Sequence, residues 1–179
     1  MRFVKIPHER VGVLVGPNGE VKKALEEKTG TAIDIDSKSG DITIDDSKAE
    51  DPLLALKCAD MVKAMGRGFS PEKAMSLLSD DVYFTLIDIR DYVGKDKKHV
   101  RRVRGRVIGH KGKTRRLIEE LTGAYVSVYG NTIGVIGERL EMGIAVHAIE
   151  MLLSGSEHSA VYGFLEKKRR DIDIAEMGF

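Results

Sequence analysis

The chain has 179 residues, 42% hydrophobic and 32% charged, with a formal net charge of only +1, a balance that fits one or two folded globular domains rather than a disordered chain. No apolar run approaches the roughly 20 residues that cross a bilayer, and the opening Arg2-Phe3-Val4-Lys5-Ile6 lacks the apolar stretch of a signal peptide. The single cysteine, Cys58, excludes an intramolecular disulfide and a cysteine-based zinc cluster, so the expectation is a cytoplasmic protein without a membrane role.

Taken in chain order, Phe3 to Ile6 alternates as a short strand closed by Pro7. Glu9 to Val15 reads as a short helix broken by Gly16-Pro17. Glu20 to Lys28 is a second helix, with Val21, Ala24 and Leu25 at helical spacing and Gly30 as a left-handed cap. Thr31 to Asp36 alternates as a half-buried strand, Ser37 to Gly40 is a turn, and Ile42 and Ile44 mark the return strand. A long helix runs from about Asp51 to Met65, with Leu53, Leu56, Met61 and Met65 supplying much of its apolar face.

The same order then repeats. Val82 to Ile89 is a strand, Val100 to Ile108 a helix, Gly109 to Gly112 a loop and Lys113 to Leu121 a helix capped by Gly123. Ala124 to Val128 and Thr132 to Ile136 pair across the tight turn Gly130-Asn131, and Glu138 to Leu153 is the last long helix. The repeat is visible residue by residue at an offset of 93: Gly16 and Gly19 fall on Gly109 and Gly112, Glu26-Glu27 on Glu119-Glu120, Thr29-Gly30 on Thr122-Gly123, and Ile33 and Ile35 on Val126 and Val128. It extends to a serine-capped short helix after each copy, Ser70 before Pro71 to Leu78 and Ser156 before Glu157 to Arg170. At an offset of 86, Ala74, Met75 and Leu78 fall on Ala160, Val161 and Phe164. The expected layout is a first domain over 1–66, a helical linker over 67–80, a second domain over 81–155, a C-terminal helix over 156–172 and a tail over 173–179.

A Gly-x-x-Gly loop that opens a helix suits one chemistry in particular. The helix N-terminus presents unpaired N–H groups and partial positive charge, which attract anions. Glycines allow a sugar-phosphate backbone to approach the main chain, and the flanking apolar wall gives the bases of a single strand a surface to lie on. Charge is distributed to match. From Lys95 to Arg116 there are eleven basic residues against one acid, Asp96, whereas Glu26 to Asp51 holds nine acids against three lysines. Such a local basic field binds phosphates whatever the overall sum.

On these residues the chain resembles the KH domain family. The family's Ile-Gly-x-x-Gly loop is matched by Val15-Gly16-Pro17-Asn18-Gly19 and by Ile108-Gly109-His110-Lys111-Gly112, and its Thr-Gly-Ala segment by Thr122-Gly123-Ala124. One departure is that Lys22 and Arg115 stand where the family has an apolar residue, which shifts the apolar face to Val21, Leu25, Leu117 and Ile118. The resemblance implies an α+β fold of two tandem type I KH domains, each β-α-α-β-β-α with a three-stranded sheet packed on helices. The segments Gly66 to Ala74 and His158 to Arg170 are similar to those of archaeal two-KH proteins related to the Krr and partner-of-Nob ribosome assembly factors. That similarity implies single-stranded RNA as ligand, near the 3′ end of small-subunit ribosomal RNA or its precursor, with a maturation endonuclease or other assembly factor as partner.

The two loops are unequal. The second carries His110 and Lys111 inside the basic run, while the first carries Asn18 and Pro17, which has no N–H to donate. The second is therefore the expected main grip, built from Gly109, His110, Lys111, Gly112, Lys113, Arg115 and Arg116 with Arg102, Arg104 and Arg106 beside it; Gly16, Pro17, Asn18, Gly19 and Lys22 assist. An adaptor whose first module binds protein instead stays open. Nothing points to an enzyme, a cofactor, a metal or a small-molecule substrate. Gly112-Lys113-Thr114 ends like a nucleotide-binding loop but has Val107 where that motif needs a glycine. Asp34, Asp36, Asp41 and Asp45 read as a solvated strand face, and the five histidines lack ligand spacing. His147 and Cys58 read as structural residues of apolar helices. Tyr125 and Tyr129 either stack bases or pack, and Lys167 to Arg170 either extend the RNA surface or complement a helix C-terminus.

Overall fold

A computed structural model divides the chain into two compact units, Met1–Asp80 and Asp81–Phe179, of which residues 1–178 are described. The first contains β1 (Arg2–Lys5), α1 (Val11–Val15), α2 (Glu20–Thr29), β2 (Ala32–Asp36), β3 (Asp41–Asp45), α3 (Pro52–Gly66) and α4 (Pro71–Met75). The second contains β4 (Val82–Asp88), α5 (Arg90–Val93), α6 (Lys97–Ile108), α7 (Lys113–Thr122), β5 (Tyr125–Tyr129), β6 (Thr132–Glu138), α8 (Arg139–Leu153) and α9 (His158–Glu176). Each unit holds one antiparallel three-stranded sheet, ordered β1-β3-β2 and β4-β6-β5. The architecture is α+β, as the element pattern predicts.

Strand alternation decides which side chains reach the core. In the first sheet Val4 lies opposite Ile42 and Ile33 opposite Ile44, and all four are buried. In the second, Ile87, Val126, Ile133 and Val135 join Val103, Val107 and Ile118 of the helix pair and Ile144, Ala148 and Ile149 of α8 in one cluster. Arg10 ties the first helical pair to α3, donating from Nε to the Met65 carbonyl at 2.7 Å and from Nη2 to the Phe69 carbonyl at 2.8 Å.

The repeated Thr-Gly and Glu residues have definite jobs. Thr29 Oγ1 donates to the Leu25 carbonyl and Thr122 Oγ1 to the Ile118 carbonyl, each at 2.6 Å. Gly30 and Gly123 then end the helices in the left-handed region, at φ 70° and 83°. One turn earlier, Glu26 accepts from Ile33 N and Glu119 from Val126 N, both at 3.0 Å, so each helix is stitched to the edge strand that follows it. Cys58 is fully buried, 3.5 Å from Thr31 Oγ1, and burial pushes its thiol pKa up.

Several expectations need correction. Leu53 and Leu56 are 49% and 46% exposed, because α3 buries the face running through Ala55, Cys58, Ala59 and Val62, and the two leucines fall off it. His147 is exposed and lies against Phe164, with ring centroids 4.8 Å apart. The two extra helices are not equivalent. Ser70 does cap α4, accepting from Lys73 N at 3.3 Å. Ser156 caps nothing: Glu157 is the cap residue of α9, without a side-chain bond. Helix α9 has 19 residues, buries Val161, Leu165 and Ile172, and continues to Glu176 through most of what composition marks as a tail. Phe179, at the end of that expected tail, lies outside the described residues. Residues 67–80 cluster with the first unit rather than apart from it.

Replacing Thr122 with valine removes both the donor to Ile118 and the acceptor for Ala124 N, 3.1 Å away and buried. The expected loss is about 1–3 kcal/mol, read as a lower urea midpoint at unchanged slope.

Candidate nucleic-acid interface

The two Gly-x-x-Gly loops have almost the same backbone despite different side chains. Gly16 and Gly109 lie at φ 74°, ψ 173° and φ 76°, ψ 173°, a region open essentially only to glycine. The third residues, Asn18 and Lys111, are the only non-glycine residues at positive φ among the described residues, at 55° and 53°. Gly19 and Gly112 follow in the left-handed region, at φ 73° and 76°. Each loop closes on itself, Gly19 N donating to the Gly16 carbonyl at 3.1 Å and Gly112 N to the Gly109 carbonyl at 3.2 Å.

The glycines of each pair do different things. A Cβ at Gly16 would stand 2.9 Å from Val21 N, and one at Gly109 2.7 Å from Thr114 N, so the first glycine lets the next helix start directly against the turn. A Cβ at Gly19 or Gly112 would meet nothing within 4 Å. The second glycine therefore borders open space beside the helix N-terminus. Glu20 N and Lys113 N donate to the Pro17 and His110 carbonyls, but neither Gly19 nor Gly112 supplies a side-chain cap, so the next first-turn N–H groups of α2 and α7 keep their capacity for an anion.

The basic run divides into two sets. His110, Lys111 and Lys113 are exposed at the loop, with Lys113 Nζ 5.9 Å from the Tyr162 ring centre. Arg116, also exposed, bonds the loop's own carbonyls, Lys111 at 3.1 Å and Gly112 at 3.4 Å. Arg102 is exposed and bonds His99 at 2.8 Å. Arg101 is also exposed, whereas Arg104, Arg106 and Arg115 are half-buried and bond within the second unit. Arg106 donates to the Ser156 carbonyl, and its own carbonyl lies 3.0 Å from His158 Nε2, which anchors the start of α9. Arg115 pairs with Glu119 at 2.5 Å and steadies the carboxylate that holds Val126 N. Arg104 donates to the Gly130 carbonyl at 3.1 Å. In the first unit, Pro17 and Asn18 are exposed at the loop and Lys22 is half-buried on α2.

Two readings of individual residues change. Thr114, which resembles the end of a nucleotide-binding loop, is buried and bonded to the Tyr162 hydroxyl at 2.8 Å. Lys167 to Arg170 sit inside α9, not at its end, and Lys168 and Arg169 pair with Asp171 and Asp173 at 3.5 and 3.1 Å. Tyr162 escaped sequence reasoning altogether, since its partner Thr114 is 48 residues away and no local pattern marks it. Asp36 and Asp45 accept backbone N–H groups of their own turns, which hold both carboxyls below the usual range. Among the described residues no group of three or more His, Cys, Asp or Glu side chains could hold a metal ion, and no helix is long and apolar enough to cross a membrane.

A helix, a Gly-x-x-Gly loop and a second helix set against an antiparallel sheet of order first-third-second define a KH domain of type I, here twice over. Residues 83–170 match the family described as eukaryotic type KH-domain (KH-domain type I), and residues 1–50 match the KH domain. The chain is 49% identical over 176 residues to KH domain-containing protein MJ0443 of Methanocaldococcus jannaschii, covering 98% of this chain and 77% of that one. It is 32% identical over 169 residues to pre-rRNA-processing protein pno1 of Aspergillus fumigatus, covering 93% and 67%. A chain in the crystal structure of an a/eIF2alpha–aDim2p–rRNA complex from Pyrococcus horikoshii is 46% identical, with a TM-score of 0.87 over 95% of this chain and 94% of that one. The chain belongs to the KH-domain proteins of the PNO1/Dim2 family.

The glycine asymmetry is measurable. Gly109→Ala meets backbone as well as a forbidden φ and should cost about 3 kcal/mol or more, against about 1–2 kcal/mol for Gly112→Ala, where only the left-handed φ opposes it. Lys111→Asn should raise the melting temperature, because asparagine tolerates that φ better than lysine, as calorimetry of the two proteins would read directly.

Proposed function

We propose that the protein is a ribosomal-RNA-binding factor of small-subunit ribosome biogenesis that grips single-stranded RNA chiefly through the Gly109–Gly112 loop. The observation that carries the assignment of the loop is Lys111. A lysine held at φ 53° in an exposed turn is a poor choice for stability, whereas the matching position of the first unit holds asparagine, a residue suited to that angle. The strain has a use if the ammonium must stand over the open side of Gly112, beside the uncapped start of α7. Phosphates seated there meet Lys111, His110, Lys113 and the α7 N–H groups together, while Arg116 keeps the loop rigid.

The ligand class rests on the relatives: pno1 is named for pre-rRNA processing, and the Pyrococcus chain is part of a complex with rRNA. The 3′ region of small-subunit rRNA is the target we assign, with a maturation endonuclease or an initiation-factor subunit as protein partner. Catalysis is no part of the role, and the cytoplasm is where it would act. The first unit has a loop without cations at positions 17 and 18, and its acids Asp34, Asp36 and Asp41 are exposed on strands β2 and β3. Those features favour an assisting or protein-binding role for it.

The test is binding of a labelled single-stranded RNA from the small-subunit rRNA 3′ end. His110→Asp with Lys111→Asp should abolish binding without lowering the melting temperature, and Pro17→Asp with Asn18→Asp should weaken it far less. If about five phosphates are neutralised, log affinity should fall against log salt with a slope near −3.5. Retention of wild-type affinity by the His110/Lys111 double variant would remove the second loop from the role.

A further inference from the structure

At the far end of α6 from the Gly-x-x-Gly loop lies a cavity of about 400 Å³ lined by Arg90, Lys95, Lys97, Val100, Arg101, Arg104 and Asn131. Five of its seven lining residues are cationic, and they come from α5, the segment after it, α6 and the β5–β6 turn. Carboxylates that could neutralise them are mostly engaged elsewhere. Asp96 is spent as the cap of α6, accepting from Lys98 N at 2.9 Å. Asp88 pairs with Arg90, at 2.7 and 3.0 Å, so Arg90 is neutralised and four cations of the lining remain. Lys95, Lys97 and Arg101 are exposed and have no ion pair among the described residues.

The basin is shaped as well as charged. Ile89 N donates to the Asn131 carbonyl at 2.9 Å, and Arg104 reaches the Gly130 carbonyl at 3.1 Å, so the turn is fastened across the top of α6. Helical spacing aligns Lys97, Arg101 and Arg104 with Ile108, the residue just before Gly109. Over its 12 residues α6 spans about 18 Å. The face of α6 that carries the basin's cations thus continues through Ile108 to the loop.

We propose that this basin is a second phosphate-binding surface for the same RNA, holding nucleotides beyond the roughly four that a KH loop grips. The inference rests on the RNA-binding role assigned to the Gly109–Gly112 loop and adds to it a length requirement. The basin contributes mainly positive charge, which suits backbone phosphates, so it lengthens the footprint more than it adds sequence preference.

The experiment compares 5-nucleotide and 12-nucleotide single-stranded RNAs from the small-subunit rRNA 3′ end on the full chain. The triple variant Lys95→Ala, Lys97→Ala, Arg101→Ala should bind the 5-mer as the wild type does. It should bind the 12-mer about tenfold more weakly, with a salt slope shallower by about 2 for three lost phosphate contacts. The three side chains are exposed, and an unchanged melting temperature verifies folding. Wild-type affinity and slope for the 12-mer would overturn the basin while leaving the loop assignment intact, provided the His110/Lys111 double variant still loses both RNAs. Equal losses for both lengths would overturn the extension by making these cations part of the primary grip. Unchanged RNA binding together with lost binding to an acidic protein partner would overturn it in favour of a protein interface.

Discussion

The contact on which the binding surface depends is the one between the first glycine of each loop and the N-terminus of the helix that follows. With Gly109 only a hydrogen away from Thr114 N, the chain leaves α6 and enters α7 within four residues. Those four residues have no room to tuck their side chains inward. They project as a turn whose third residue is forced to positive φ and whose fourth must be glycine. The exposed lysine, the open space beside Gly112 and the start of α7 without a side-chain cap all follow from that one close approach. In the first unit Val21 N plays the same part against Gly16, and the turn comes out with the same angles.

Charge is then allocated around this turn by geometry rather than by sequence order. Of the basic run, some members face the loop, some close hydrogen bonds inside the second unit, and some gather at the opposite end of α6. Arg106 and Arg115 illustrate the second group: both stand among loop residues in the chain, yet one anchors α9 and the other supports Glu119. A near-zero net charge is therefore no obstacle to a polyanion ligand. What matters is the local concentration of exposed cations on α6, in the Gly109–Gly112 turn and at the start of α7.

The legible features are those enforced by local backbone chemistry. Gly16, Gly19, Gly30 and their counterparts sit at angles that other residues resist, so their spacing reveals the loops and helix ends directly. The paired Glu26 and Glu119 and the paired Thr29 and Thr122 mark the same joints, because each bonds within seven residues. Illegible features depend on partners far along the chain. Helix α9 looks like a copy of α4 in its apolar residues, but its seat is set by Arg106 and Thr114, which lie 50 and 48 residues from Ser156 and Tyr162. Leu53 and Leu56 look like core and are not, since helical phase alone does not say which face a neighbour will cover.

The sequence by itself determined the duplication, the α+β order of elements, the two Gly-x-x-Gly turns and the concentration of basic residues beside the second one. Each is a short-range property, set by backbone angles, strand alternation or simple composition. The tertiary structure was needed to show which cations are free, that the two glycines of each loop do different work, that Lys111 is held at positive φ, and that Arg90, Lys95, Lys97, Arg101 and Asn131 meet in one cavity. Those outcomes depend on packing between segments tens of residues apart, where side-chain direction and distance have no signature in local spacing.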